Sequence, residues 1–192
     1  MRLVWAGRML AVIALLGLSV SVVTTSADEG KVSARATLSG FQENLPKLTD
    51  GTGSFSATVS SGTLSYKLTF SGLTSPAFMS HIHFGQPGVN GGVFIWLCGS
   101  AAAPGPAGTK TCPANGGTVT GTVTAADVQS ILGTPPPPPS AANQNVHAGD
   151  FAGAVRILRS GDAYVNVHTT NFPGGEIRGQ VTTSSNDSSN ND

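Results

Sequence analysis

Four histidines carry most of the chemical potential of this 192-residue chain. His81 and His83 flank Ile82 on a short apolar segment, His147 opens His147-Ala148-Gly149-Asp150, and His168 closes Tyr164-Val165-Asn166-Val167-His168. Imidazoles at i and i+2 of a strand project from one face, so a His-x-His segment offers two nitrogens to a single ion. A third imidazole from another strand completes a set that suits copper or zinc and leaves a coordination position for water. No Ser-His-acid or Cys-His arrangement accompanies them, so the sequence names no catalytic residue and hydrolase chemistry is not expected.

The segments that must position these residues read as β-strands. Apolar residues alternate over 33–38, 55–59 and 64–70, with Ser60-Ser61-Gly62 as the turn of a hairpin between the last two. The segment 78–84 bears His81 and His83; a glycine-rich turn over 85–92 leads from it to a core strand over 93–97. Another strand is expected over 118–123. Thr124-Ala125-Ala126-Asp127 has the form of a helix start, with Thr124 as cap and Asp127 in the first turn. Within 150–159, Phe151, Val155 and Leu158 recur at helical spacing while Val155 and Ile157 alternate; the segment reads as one or two helical turns.

The clearest strands are 163–168 and 176–181. Pairing them with His168 opposite Glu176 sets Val167 against Ile177 and Asn166 against Arg178, which makes one face apolar and the other polar. On that polar face Glu176 is expected to accept a hydrogen bond from His168 and fix its tautomer. Asn166 and Arg178 are the other candidates for residues supporting the ligands; for Arg178, pairing with Glu176 or Asp162 is expected ahead of steering an anion.

Arg2 and Arg8, an apolar run over 9–22 and small residues ending at Ala27 form the pattern of a secretory signal peptide over 1–27, too short for a comfortable membrane span. The mature chain is expected to have no transmembrane segment and to be secreted or held in the cell envelope. Ten basic and ten acidic residues, two of the basic ones in the leader, leave a slightly acidic remainder that does not recommend nucleic acid. Residues 28–183 make a single domain, and 184–192, devoid of apolar residues, are expected to be a disordered tail. Pro135 to Pro139 form a stiff spacer. In an oxidising compartment Cys98 and Cys112 are expected to pair rather than remain free or ligate a metal, closing a loop worth about 3 kcal/mol in chain entropy.

Ala36-Thr37-Leu38-Ser39-Gly40-Phe41-Gln42-Glu43, His81-Ile82-His83-Phe84-Gly85, Thr124-Ala125-Ala126-Asp127-Val128 and Gly161-Asp162-Ala163-Tyr164-Val165-Asn166-Val167-His168-Thr169 with Gly174-Gly175-Glu176-Ile177-Arg178-Gly179-Gln180 together resemble the CHRD domain, a module named after chordin and common in exported bacterial proteins. The resemblance spans about residues 32–182. It implies an all-β, immunoglobulin-like sandwich of the kind found in an extracellular binding protein and leaves the biochemistry open. With the residues above, the expectation is an antiparallel Greek-key or immunoglobulin-like sandwich with one or two short helices, a binding module for a metal ion or an extracellular protein or surface ligand.

The order His81, His83, His168 is also similar to the copper ligands of copper/zinc superoxide dismutase, and His147-Ala148-Gly149-Asp150 resembles the zinc-binding segment there, which makes His147 an optional fourth ligand and Asp150 its companion. No histidine lies between His83 and His147 to bridge two metals. Three readings follow: a mononuclear metal-binding module, a dismutase-like copper redox enzyme, or a metal-free interaction domain in which the histidines brace the strands.

Overall fold

The computed structural model describes residues 31–132 and 143–185; the leader, the proline run and residues 186–192 lie outside them. In chain order the elements are β1 (Val32–Ser39), β2 (Thr52–Ser60), β3 (Thr63–Ser71), β4 (Ala77–Phe84), β5 (Gly92–Cys98), β6 (Gly117–Val123), α1 (Phe151–Ser160), β7 (Ala163–Thr169), β8 (Ile177–Gln180) and β9 (Thr182–Ser185). The strands form one antiparallel sheet in the order β5-β4-β7-β8-β1-β2-β3-β6, with β9 also paired to β1. The sheet curls until β5 at one end approaches β6 and β3 at the other, and the Tyr66 hydroxyl on β3 donates to the Leu97 carbonyl of β5 at 2.6 Å. The fold is all-β as expected, its layers joined into a nearly closed barrel.

Alternation does the organising work. Phe55, Ala57 and Val59 on β2 lie opposite Leu68, Tyr66 and Leu64 on β3, and all six are buried. The hairpin turn falls at Ser61 and Gly62, both at positive φ (50° and 73°), the backbone that a two-residue turn between right-twisted strands requires. The helix start at Thr124 is a single 3-10 turn, Ala125–Asp127, whose capping box returns Asp127 Oδ2 to the Thr124 amide at 2.7 Å.

The helical reading of 150–159 holds and extends to ten residues. The Asp150 carboxylate caps it by accepting from the Gly153 amide at 2.7 Å, Gly161 ends it in the left-handed region, and Ala154, Val155, Ile157 and Leu158 face the core. Cys98 and Cys112 form a disulfide that ties the end of β5 to the loop before β6. Two residues assigned to the tail, Ser184 and Ser185, instead belong to β9: the backbone of β1 has a free edge there, and polar side chains do not prevent main-chain pairing. No helix among the described residues is long and apolar enough to cross a membrane.

Candidate metal centre

The register of three neighbouring strands assembles the site. On β4, His81 lies opposite Asn166 of β7, which lies opposite Arg178 of β8; His83 lies opposite Tyr164, which lies opposite Gln180. Met79 pairs with His168, so His168 stands one step along β7 and diagonal to His81, within reach of a ring. The pairing of β4 with β5 shifts twice, between Ser80 and His81 and between Ile82 and His83. Such irregularities re-aim side chains, and here each falls immediately before one of the two histidines.

His81 Nδ1 is 3.2 Å from His168 Nε2, and one ring nitrogen from each of His81, His83 and His168 falls within 4.8 Å of the others. Two nitrogens bound ~2.0–2.1 Å from a tetrahedral ion stand ~3.3 Å apart, so the His81–His168 pair already has the spacing of two ligands to one metal. The three histidines could hold a metal ion.

Backbone carbonyls settle two tautomers, because a carbonyl only accepts. His83 Nδ1–H donates to Gly91 O and His168 Nδ1–H to Pro173 O, both at 2.9 Å, which leaves each Nε2 as a lone pair. Metal-bound histidines are commonly oriented by such a bond on the other ring nitrogen. The Asn166 amide lies 3.0 Å from His168 Nε2. His81 Nε2 and His83 Nε2 are buried with no hydrogen-bond partner among the described residues.

The surroundings keep the rings neutral. Burial pushes His81 down to about 2, with His168 and His83 adding to the effect. Burial takes His83 down to about 4 against the opposing Gly91 hydrogen bond, and lowers His168 against the Pro173 bond. Neutral imidazole is the form that ligates metals. Trp96 of β5 meets His81 edge-on at 4.1 Å between centroids. The polar face that carries the site is covered: the Gln86 and Gly85 carbonyls of the β4–β5 loop accept from Arg178 and Gln180, and Glu43 from the β1–β2 loop reaches the space beside Gly175.

Several expected roles fall differently. Glu176 does not orient His168: its carboxylate accepts from Thr49, Thr169 and both the amide and hydroxyl of Thr74, at 2.7–2.9 Å. Burial opposes its ionisation, but these four donors outweigh it and hold Glu176 below the usual carboxylate range. Gly175 explains the change of direction, since its φ of 123° takes the residue before β8 out of strand alternation. His147 is exposed and stands outside the three-histidine cluster, and Asp150 spends its carboxylate on the α1 cap. Arg178, 1% exposed, pairs with neither Glu176 nor Asp162; it lies 3.3 Å over the Tyr164 ring and donates to Gln86 O at 2.9 Å, and Nη1 has no partner among the described residues.

Glu43 is the residue that spacing alone did not single out. It is buried, its Oε1 has no partner among the described residues, and burial raises it to about 7 although Arg178 and Lys47 pull the other way. Its segment has no periodicity to betray an inward carboxylate. The only signal was its place in the Phe41-Gln42-Glu43-Asn44 block.

A nearly closed antiparallel sheet that buries three strand-borne histidines at ligand spacing defines an all-β domain with a candidate metal centre. The chain belongs to the CHRD domain family, which matches residues 34–181 and so includes every residue of the cluster. Neither the curated proteins nor the solved structures yielded a match.

Proposed function

We propose that this CHRD domain acts outside the cytoplasm as a binding module that holds one copper or zinc ion on His81, His83 and His168. The observation that carries the reading is the pair of backbone anchors, Gly91 O on His83 and Pro173 O on His168, which turn both Nε2 lone pairs away from the carbonyls and into the cluster. Rings that merely braced the strands would be expected to spend all their nitrogens on partners, whereas His81 Nε2 and His83 Nε2 meet no partner at hydrogen-bond geometry among the described residues. When bound, either metal supplies an open Lewis-acidic position, and copper adds one-electron redox chemistry. The leader-like residues 1–27 and the Cys98–Cys112 disulfide support export.

The order of the three ligands also supports a second reading, copper redox chemistry of the superoxide dismutase type, confined to one metal because His147 and Asp150 stand apart from the cluster. Titration calorimetry of the purified protein separates the possibilities. About one equivalent of Cu(II) or Zn(II) is expected, abolished in the H83A/H168A double variant; unchanged binding there removes the site. Copper-loaded protein that dismutes superoxide no faster than free copper removes the second reading.

A further inference from the structure

We infer that the outer face of β1, β2 and β3 is a binding track for an acidic polysaccharide. The inward positions of these strands are core residues such as Ala36, Phe55 and Leu68, and the outward ones carry only serine, threonine and two cations. Arg35 pairs with Ser56, and Ser56 pairs with Lys67, so the cations sit in one row with a serine between them. Two strand spacings separate them, ~9–10 Å. In the next row Thr37, Ser54 and Thr69 continue the hydroxyl floor.

Two open grooves, of about 720 and 290 Å³, lie over this face and share Arg35, Ser56 and Lys67 as common lining. No carboxylate lines either groove. Arg35 and Lys67 are exposed, and their side chains make no hydrogen bond or ion pair with other described residues. Among the described residues the track is therefore positive and without a compensating carboxylate, and it is built on a rigid sheet, so little ordering is needed before something binds.

The arrangement favours one kind of occupant. A single small anion is held best by donors converging on a point, whereas these cations stand apart; a linear polymer lying along β2 meets Arg35 on one side and Lys67 on the other. Hydroxyl groups that both donate and accept match sugar hydroxyls. The outward positions of these strands hold no aromatic ring for base stacking, which sets single-stranded nucleic acid aside. The track lies on strands that carry none of the clustered histidines, so it stands independently of metal binding.

Affinity electrophoresis of the full chain through gels containing polygalacturonate, with neutral dextran and single-stranded DNA as parallel matrices, tests the assignment. Retardation by polygalacturonate alone, weakening as salt rises, is expected. R35Q/K67Q is expected to lose at least about tenfold in affinity at low salt and most of the salt dependence, at an unchanged melting temperature, with R35Q and K67Q each losing less. H83A is expected to bind like the wild type. No retardation of the wild type, equal retardation by dextran or DNA, or wild-type binding by R35Q/K67Q would overturn the proposal.

Discussion

The ring of His83 lies parallel to that of Tyr164, with 4° between their planes and 4.6 Å between centroids. Gly91 holds both: its carbonyl accepts from His83 Nδ1–H at 2.9 Å and its amide donates to the Tyr164 hydroxyl at 3.3 Å. Tyr164 in turn carries the Arg178 guanidinium on its ring. One loop residue, one candidate ligand and one buried cation are thus mechanically connected.

Gly91→Ala tests that connection. A Cβ at this position collides with the Phe84 carbonyl oxygen, so the β4–β5 loop has to move and release both anchors. A destabilisation of about 3 kcal/mol is expected in urea denaturation, with metal affinity reduced about tenfold or more because His83 loses its orienting bond. Wild-type affinity in a folded G91A protein would detach the loop from the site.

Glu43 gives a pH signature of its own. Its carboxyl, faced by Arg178, Lys47 and Tyr164, titrates near 7 in the folded protein against 4.5 for the free group. The stability this contributes is full below pH 4.5, where both states are protonated; above it the unfolded chain releases its proton first, and the contribution is lost as pH rises to about 7. Glutamine has no proton to release. The stability of metal-free wild type relative to E43Q is therefore expected to fall by about 3 kcal/mol between pH 4.5 and 7.5. A difference that stays constant across that range contradicts it.

Glu176→Gln separates holding the fold from holding the metal. An amide in place of the carboxylate sets an N–H₂ group against hydroxyl and amide donors, a loss expected to cost about 2–3 kcal/mol of stability. Since Glu176 does not touch His168, metal affinity is expected to remain within about threefold of wild type, as it is for His147→Ala. Thermal melts and metal titrations of both variants check this, and a tenfold loss of affinity in either would restore that residue to the site.

Reduction of the Cys98–Cys112 bridge removes a cross-link across 14 residues of sequence. About 3 kcal/mol of stability is expected to go with it in chain-entropy terms, measured by melting C98S/C112S against the wild type. Trp96 lies two residues from Cys98 and packs against His81, so its fluorescence is expected to report the loosening of β5.

Much of this was legible in the chain before folding. The register Asn166–Arg178 and Val167–Ile177 followed from the requirement that one face of the hairpin be apolar, since a slip of a single residue would mix the faces. The same logic set His81 and His83 on one face of their strand and His168 on the polar face of its hairpin, whereas the pairing of β4 with β7 that makes them neighbours is a long-range contact that no local pattern encodes. What escaped lies where alternation stops. Glu176 follows a glycine in the left-handed region and turns to threonine donors as distant in sequence as Thr49. Asp150 precedes a helical run and serves as its cap, a local role that a His-x-Gly-Asp reading overlooked. Glu43 enters the site from an irregular loop whose partners arrive more than a hundred residues later, and no local pattern encodes that contact.

The pairing of β9 with β1 sets Val32 directly opposite Ser185. Entry to and exit from the domain therefore occur side by side, at a single doorway. Such a unit can be spliced into one surface loop of a host polypeptide as a pendant without prising the loop apart, and a circular permutant joined across this doorway by a short glycine linker is expected to fold with its histidine cluster intact.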